Sequence, residues 1–379
     1  MKVALVHELL TMRGGAEKVM KIFADMFPDA PIYTLLYDEK KLGDWFPKER
    51  IRTSTIQPHA HSSKLIAQSF NHHLYLSRFP AAVESWDFFG FDLVISSSSA
   101  FAHGIITNGK PKHLCYVQSP ARYLWDRTHD ILDRAGHGLL GPFRRWYLER
   151  LFHRLRIWDA ETSDRPDMLL TSSRAVERRI ELYWRRTSTV VPPPIEDFWF
   201  EASPSPLGGG VGGEGNYALV VSTLVPYKRI ELAIEACRKT RMFLKIVGEG
   251  PDMKRLRRLA GKEVEFYGHR ALDELKDLYA NAQVTIVPGE EDFNLVAVES
   301  MASGTPVIAY GKGGPLETII EGKTGMFFRE PTAESLAEVL RLYRKDRFKS
   351  EACSQQAKQF SRARFEGQIQ SAIGEVMNT

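Results

Sequence analysis

The segment Val284–Tyr310 constrains the fold more than any other part of the chain, because strand, helix and strand follow one another within it. The apolar run Val284–Pro288 predicts a buried strand, and Val307–Tyr310 predicts a second one. Between them, the residues from about Asn294 to Ser303 predict a helix that Gly304 ends. Strands that alternate with helices in this way indicate a parallel sheet.

Two carboxylates flank the predicted start of this helix. Glu291 lies in the acidic loop before the helix, and Glu299 lies roughly one to two turns inside it. Ligands of open α/β sheets bind at the carboxyl ends of the strands, and helix N-termini favour phosphate. Because carboxylates would repel phosphate, we expect these two to bind hydroxyl groups. The pattern predicts a pocket for a sugar attached to a nucleotide.

Composition limits the classes of protein to which the chain can belong. It has 379 residues, 43% of them hydrophobic, which suits two α/β domains with full cores. There is no apolar run long enough to span a membrane, and the first residues do not form a signal peptide, so we expect a cytoplasmic protein. Three widely spaced cysteines indicate free thiols, and a net charge of +4 is too mild to favour nucleic acid.

The chain divides at a Gly/Pro-rich stretch. We expect a first domain over 1–191, a linker over 192–216, a second domain over 217–354, and a helical segment over 355–379 that packs back on the first domain. Two sheet domains joined by a hinge are expected to leave a cleft between their strand ends. Besides the two strands above, the predicted strands are Val3–His7, Leu93–Ser96, Leu114–Val117, Met168–Thr171, Thr189–Val191, Tyr217–Val221, Phe243–Val247 and Val264–Tyr267.

Three loops of the second domain carry candidate residues for binding a donor. Lys228 and Arg229 follow the first strand of that domain and are suited to a diphosphate; the alternative is a solvated charge pair. Gly248 ends the next strand and would allow a ligand close to the backbone; by itself this glycine favours a plain tight turn. His269 follows a third strand, in a loop that is a candidate for binding the base of a nucleotide. A generic strand-to-helix loop without a ligand is the alternative.

The first domain offers a glycine loop and a polar loop. The backbone amides of Gly14 and Gly15 are candidates for contact with a pyrophosphate, and a simple helix-entry turn is the alternative. Gln118 begins a loop dense in polar and aromatic residues. Both kinds of residue are needed to bind a sugar, because aromatic rings stack on its C–H surfaces and polar groups bind its hydroxyls. His103 lies in an adjacent loop, where a structural histidine is the alternative.

A basic stretch covers residues 134–158. It contains six arginines and one acidic residue, and a helix with one apolar face is expected to begin near Pro142. Arginines beside Trp146 and Tyr147 favour contact with an anionic membrane surface. A basic helix packed on its own domain remains the alternative.

These motifs together resemble those of a known family. The spacing of Glu291 and Glu299, the Ser-Met-Ala-Ser-Gly-Thr-Pro sequence after it, the lysine loop and the Gly-Gly turn resemble the retaining glycosyltransferases of family 4, which have the GT-B fold. The resemblance covers nearly the whole chain. The amino-acid sequences of three segments resemble those of bacterial mannosyltransferases of O-antigen and exopolysaccharide assembly. These segments are Arg13–Lys18, Cys115–Tyr123 and Leu224–Arg229.

The resemblance implies a fold and roles for several residues. The fold would be two Rossmann-like domains whose parallel sheets face each other across a cleft. Glu291 would contact the hydroxyls of the transferred sugar, Glu299 the ribose and Lys228 the diphosphate. The segment from Phe293 through Asn294 to Leu295 would present backbone amides to phosphate or sugar.

The chain departs from the family pattern at three places. Ser222 and Thr223 stand where the family usually has Gly-Arg, so Arg229 is expected to supply the missing charge. Asn294 replaces the usual glycine, and Asn tolerates a positive φ better than most residues do. Gln118 replaces a histidine. Glu291, Gln118 and His103 are therefore the candidate catalytic residues.

The expected function is a metal-independent, retaining transfer of mannose from GDP-mannose to a hydroxyl of a lipid-linked or oligosaccharide acceptor, without a cofactor. Another nucleotide sugar, UDP- or dTDP-linked, is an alternative, as is a non-catalytic protein that binds a sugar nucleotide during assembly. A dinucleotide-dependent oxidoreductase is disfavoured, because Arg13-Gly-Gly-Ala-Glu17 is not the required GxGxxG.

Overall fold

The computed structural model describes residues 1–57, 72–138, 140–201 and 215–378. The chain forms two compact units. The first contains Met1–Val191 and Glu366–Thr379, and the second contains Pro192–Phe365. The chain has two sheets, and every strand pair in both is parallel.

The first unit is built on a seven-stranded sheet with the order β3-β2-β1-β4-β5-β6-β7. Its strands are β1 Val3–Leu10, β2 Ile32–Tyr37, β3 Ile51–Thr53, β4 Leu93–Ser98, β5 Lys112–Val117, β6 Met168–Thr171 and β7 Thr189–Val190. Its helices are α1 Gly15–Met26, α2 Glu39–Leu42, α3 Phe79–Glu84, α4 Thr128–Ala135, α5 Gly141–Thr162 and α6 Arg174–Trp184. The central strands are apolar and buried along most of their length, as a sheet covered on both faces requires.

The second unit has a six-stranded sheet with the order β10-β9-β8-β11-β12-β13. Its strands are β8 Tyr217–Val221, β9 Phe243–Val247, β10 Val264–Gly268, β11 Val284–Val287, β12 Val307–Tyr310 and β13 Gly325–Phe328. Its helices are α7 Ile230–Thr240, α8 Met253–Leu259, α9 Leu272–Asn281, α10 Leu295–Ala302, α11 Pro315–Thr318, α12 Ala333–Leu342 and α13 Ser350–Ala357. The last helix, α14 Arg362–Asn378, begins in this unit and continues in the first one.

Strand order decides where each sheet can hold a ligand. In each sheet the order reverses between two central strands, β1 and β4 in the first and β8 and β11 in the second. The loops that follow these strands diverge to opposite faces of the sheet, which leaves a crevice at their carboxyl ends. The candidate residues after β1, β5, β8 and β11 therefore lie at or beside the two positions where open α/β sheets bind their ligands.

The predicted linker is only partly a connecting segment. Residues 192–201 belong to the second unit, where Ile195 pairs with Ser361 and Trp199 is buried against Tyr279. The Gly/Pro-rich residues 202–214 lie outside the described residues. Residues 355–365 also belong to the second unit, so only the later part of the predicted returning segment belongs to the first. In the part of the chain that the structure describes, no helix has the length and apolar character needed to cross a membrane.

Candidate functional site

An ion pair lies at the carboxyl edge of the second sheet. Lys228 ends a short 3-10 helix after β8, and Glu291 lies in the loop after the adjacent strand β11. The Lys228 Nζ atom donates to both carboxylate oxygens of Glu291, at 2.7 Å and 2.6 Å. Both side chains keep about a fifth of their surface exposed, 20% and 18%. The pair is therefore accessible to a ligand that competes for either charge.

The electrostatics of this pair keep Lys228 charged. Burial lowers the pKa of the Lys228 ammonium, but the charges of Glu291 and Asp292 and the hydrogen bonds to Glu291 outweigh it, so the pKa is raised. A lysine held as a cation beside a helix N-terminus suits an anionic ligand. The sequence assigned Lys228 to a diphosphate and Glu291 to a sugar; it did not predict that they bind each other.

Glycines allow the loops around this pair to pack closely. A Cβ on Gly289 would lie 3.0 Å from the backbone of Lys228, and one on Gly313 would lie 2.3 Å from the carbonyl oxygen of Glu291. A Cβ on Gly314 would lie 2.4 Å from the Cα atom of Phe293, and the Gly314 N–H donates to the Glu291 carbonyl at 2.9 Å. The Gly-Lys-Gly-Gly run after β12 therefore fixes the position of the Glu291 loop, a role that its composition alone did not reveal.

Asn294 forms the N-cap of α10. It has the left-handed conformation expected for this position, with φ 83 and ψ 74, and its Oδ1 atom accepts the Ala297 N–H at 3.2 Å. Asn at an N-cap satisfies one of the free amides of the first helical turn. Its buried Nδ2 atom has no hydrogen-bond partner among the described residues. Its neighbours Phe293, which packs against Phe360, and Leu295, the first helical residue, complete the segment predicted to present backbone amides.

Glu299 differs from Glu291 in its surroundings. Glu299 is 4% exposed, and its Oε2 atom accepts a hydrogen bond from the Tyr279 hydroxyl at 3.3 Å. Burial, followed by the Glu299 charge and its hydrogen bond, raises the pKa of Tyr279 well above its ordinary value. The structure thus places one of the two predicted carboxylates at an accessible edge and the other inside the unit. The predicted contact of Glu299 with a ribose stays a prediction.

The other candidate residues of the second unit lie in three neighbouring loops. A Cβ on Gly248, which has φ +128, would lie 1.9 Å from the Ser222 carbonyl oxygen, so this glycine is needed for the packing of one loop on the other. Arg229 is exposed, and its guanidinium donates to the Pro331 carbonyl at 3.1 Å. His269 is exposed and follows Gly268. The expected second cation, Arg229, therefore does not join the Lys228–Glu291 pair.

A buried polar chain crosses the carboxyl edge of the first sheet. The Nδ1 atom of His7, on β1, lies 3.2 Å from the Ser97 carbonyl oxygen on β4, and its Nε2 atom lies 3.7 Å from Glu17 Oε1. Glu17 Oε2 accepts the Gly14 N–H at 3.0 Å. On the other side, the Gln118 amide donates to Ser97 Oγ at 3.1 Å. The Gly14–Gly15 turn and Gln118, predicted separately, are thus linked through residues that the sequence analysis did not identify.

His103 is not placed for catalysis. Its ring is fully buried in the first unit, in contact with Trp184 at 4.6 Å and Trp158 at 5.6 Å between ring centroids. Its nitrogens lie 3.2 Å from Ser98 Oγ and 3.1 Å from Thr162 Oγ1. Burial lowers its pKa despite the nearby Asp159. These contacts explain His103 as a structural residue, and the expectation that it replaces a catalytic histidine is corrected.

Helix α5 packs on its own unit, which was the alternative for the basic stretch, while membrane contact stays a prediction. Phe152 and Leu155 are buried in the core of the first unit. Phe143, Trp146 and Tyr147 are exposed near its beginning, with Phe143 stacked on Trp146 at 5.8 Å. The helix therefore packs on its own unit and presents aromatic side chains outwards from its first turns.

Comparisons with known proteins identify sequences that are similar to part of this chain. The family model described as glycosyl transferases group 1 matches residues 209–360, which is most of the second unit. A GDP-mannose-dependent alpha-(1-6)-phosphatidylinositol monomannoside mannosyltransferase of Mycobacterium tuberculosis is 33% identical over 150 residues, 34% of this chain and 39% of that protein. A D-inositol 3-phosphate glycosyltransferase of Acidothermus cellulolyticus is 32% identical over 197 residues, 45% and 44% of the two chains. The chain thus spans less than half the length of these curated relatives.

Solved structures extend the likeness to both units. The Anabaena protein HepE in complex with UDP-glucose has a TM-score of 0.71 at 18% identity, covering 99% of this chain and all of that one. Sucrose-phosphate synthase from Thermosynechococcus elongatus has a TM-score of 0.68 at 15% identity, covering 99% of each chain. With its two parallel α/β sheets, the chain has the GT-B fold, as the resemblance implied.

Proposed function

We propose that this protein is a glycosyltransferase that uses a nucleotide sugar and whose second unit binds the donor at the Lys228–Glu291 pair. The observation that carries this proposal is the pair itself, an accessible cation and carboxylate at the reversal point of the second sheet. The family match over 209–360 includes both residues and supports the same assignment. The solved neighbour with UDP-glucose supports a nucleotide sugar as the class of donor.

The pair offers one charge to each part of a nucleotide sugar. A diphosphate is a stronger partner for Lys228 than one carboxylate, because it presents more negative charge and more acceptor oxygens. When Lys228 turns to the diphosphate, the Glu291 oxygens become acceptors for sugar hydroxyls. Lys228 then stabilises the charge that develops as the bond from the sugar to phosphate breaks.

We propose a retaining, metal-independent reaction. The acceptor oxygen attacks the anomeric carbon from the face that the diphosphate leaves, and a leaving phosphate oxygen takes the acceptor's proton. The protein supplies position and charge, and no side chain is covalently modified. Lys228 and the amides at the start of α10 provide the charge that a metal ion supplies in other transferases.

The sugar that we propose is mannose, carried by GDP. Two observations support it: the matched relative that is named as GDP-mannose-dependent, and the similarity of three loops to bacterial mannosyltransferases. UDP-glucose is the rival donor, because the solved neighbour binds it. The acceptor that we propose is a hydroxyl of a lipid-linked or oligosaccharide chain.

Helix α5 motivates a peripheral contact with an anionic membrane. Exposed aromatic rings near its start, with Arg150 4.7 Å from the centroid of the Trp146 ring, are suited to the boundary between headgroups and acyl chains. Arg145 is already paired with Asp133 and Glu149, each at 2.9 Å. We therefore assign the contact to Arg144 and Arg150 and not to Arg145.

The test is a donor screen with two readouts. The purified protein is incubated separately with GDP-mannose, UDP-glucose and a dTDP-sugar. For each donor, the unfolding temperature and the release of nucleoside diphosphate are measured in the presence and absence of EDTA. A ligand that binds only the folded state raises the unfolding temperature. We expect GDP-mannose to give the largest shift and to be turned over in EDTA. Binding without any turnover, with lipid or oligosaccharide acceptors supplied, would instead favour a non-catalytic protein of sugar-nucleotide assembly.

A further inference from the structure

The His7–Glu17 pair belongs to the first unit and has no role in the mechanism above. His7 is 2% exposed and Glu17 is 8% exposed, so neither side chain is open to a substrate. Glu17 contacts the Gly14–Gly15 turn after β1, and His7 contacts Ser97 near the carboxyl end of β4. The pair is suited to act on a substrate through these neighbours and not by direct contact.

The partners of the His7 ring identify its protonation state. Nδ1 faces the Ser97 carbonyl, which can only accept, and Nε2 faces the Glu17 carboxylate. Both ring nitrogens therefore have acceptors opposite them, as an imidazolium requires. Burial lowers the pKa of His7, but the hydrogen bond and charge of Glu17, the charge of Glu8 and the Ser97 carbonyl outweigh it, so the pKa is raised.

The charged groups that face His7 are few. Glu17 comes from α1 and Glu8 from its own strand, while β4 presents the Ser97 carbonyl and β2 is paired through the uncharged Thr34. Glu8 is already held by the backbone amides of Ser99–Ala102. Glu17 is therefore the group whose removal changes the charge balance at His7 without disturbing that loop.

Two loops take their positions from the pair. On one side, Glu17 holds the Gly14 N–H at 3.0 Å, and a Cβ on Gly14 would lie 2.6 Å from the same carboxylate oxygen. On the other side, Ser97 offers its carbonyl to His7 and its hydroxyl to the Gln118 amide. The glycine turn and Gln118 are thus fixed by one connected set of hydrogen bonds.

We propose that His7 and Glu17 are positioning residues for sugar transfer, which as a charged pair set the Gly14–Gly15 turn and Gln118 in the geometry that the reaction needs. This inference rests on the proposed glycosyltransferase function and adds to it a role for the first sheet. No proton leaves His7 during the reaction; its charge keeps Glu17 and Ser97 in place.

The experiment compares Glu17→Gln and His7→Gln with His113→Gln. His113 is a matched control, because it is also a fully buried histidine of the same sheet, and it forms a hydrogen bond of 2.7 Å with Ser96. It lies at the start of β5, whereas Gln118 follows the end of that strand. For each protein we would measure kcat and the donor KM between pH 6 and pH 9, the unfolding temperature, and the titration of the histidine rings by NMR.

We expect kcat of the unmodified protein to fall as the pH rises through the folded-state pKa of His7, which lies above 6.5. Glu17→Gln should lower that pKa and move the fall in kcat to lower pH, with kcat near pH 7.5 reduced about tenfold and the donor KM changed by less than roughly threefold. His7→Gln should lower kcat similarly and remove the pH dependence. His113→Gln should change only the unfolding temperature.

Variants at His7 and Glu17 that keep kcat within about twofold of the unmodified protein and leave its pH profile unchanged would overturn this inference alone. An unmodified protein that transfers no sugar from any donor would overturn the proposed function, and the inference with it. Loss of kcat in His113→Gln to the same extent would show that general destabilisation is the cause, and would also overturn the inference.

Discussion

The carboxyl edges of the two sheets carry ion pairs of opposite kinds. Lys228 and Glu291 are each about one-fifth exposed, whereas the side chains of His7 and Glu17 are 3% and 10% exposed. A pair that solvent reaches can exchange its partner for a ligand. A pair that is buried can only hold the backbone around it. This difference fits our proposals, which place substrate binding at the second edge and positioning at the first.

The largest effect that tests this contrast is expected at the accessible pair. Lys228→Met removes the cation that faces the diphosphate, and we expect turnover to fall by about 100- to 1000-fold, as for the loss of one preorganised charge donor. The measurement is steady-state release of nucleoside diphosphate. Lys312→Met is the control, because Lys312 pairs with Glu290 at 3.0 Å in the same region but is 60% exposed. A Lys228→Met variant with normal turnover would remove the accessible pair from catalysis.

At the first edge, loss of Glu8 is expected to lower the free energy of unfolding. Glu8→Ala would leave unpaired the amides of Ser99–Ala102 that now donate to one carboxylate oxygen, and we expect a loss of at least about 3 kcal/mol of unfolding free energy. Urea denaturation measures it. Glu39→Ala, which removes an exposed pair with Lys48, should cost far less, because solvent screens exposed ion pairs. Equal losses in the two variants would contradict the buried network.

Glu8 also predicts a dependence on acid. Burial raises the pKa of Glu8, but His7 and the backbone amides outweigh it, so its folded-state pKa lies below 4.5. The carboxylate therefore contributes stability that is fully present above pH 4.5 and is lost as the pH falls through the folded-state value. The same titration in Glu8→Gln should lack this loss. Identical acid profiles of the two proteins would contradict the shift.

A smaller effect is expected from the glycines that hold the accessible pair. In Gly314→Ala the new methyl group meets the Phe293 backbone, which cannot rotate away, so we expect a loss of about 1–3 kcal/mol and weaker donor binding. Calorimetric titration with the donor measures the second effect. Gly367→Ala in α14 meets no atom within 4 Å and should be neutral or slightly stabilising. Unaltered donor affinity in Gly314→Ala would show that the Glu291 loop does not need this support.

The smallest effect concerns the membrane. Reversing the charges of Arg144 and Arg150 to glutamate should weaken binding to anionic vesicles by about 1 kcal/mol for each cation removed, and salt should screen the binding. Arg145→Glu is the matched comparison, because Arg145 is paired with acidic residues of its own unit. Vesicle sedimentation measures it. Donor affinity should stay constant in all three, since the proposed donor site is in the second unit. An unmodified protein that binds no vesicles at low salt would contradict the membrane contact.

The sequence predicted the fold better than it predicted the site. Ten strands were named within a few residues of their observed bounds, because buried parallel strands are continuous apolar runs. β2 and β13 were not named although they are also apolar, and β3 has only three residues. The α/β class of each unit could be predicted from the alternation of these apolar runs with helices alone.

The contacts between site residues could be found only once the fold was known. Lys228 and Glu291 are joined because β8 and β11 are neighbours in the sheet, and His7 meets Ser97 because β1 lies beside β4. Neither adjacency can be read from local patterns. The misassignment of His103 has the same origin, since its proximity in sequence to other polar residues did not reveal that Trp158 and Trp184 cover it.

The most direct test of the account is a crystal structure with the nucleoside diphosphate and the intact nucleotide sugar, each at a concentration set by its measured Kd. We predict the diphosphate within hydrogen-bonding distance of Lys228 Nζ and the start of α10, the Lys228–Glu291 contact opened, and the Glu291 oxygens on sugar hydroxyls. A nucleotide bound elsewhere, with the 2.6 Å contact between Lys228 and Glu291 intact, would contradict it.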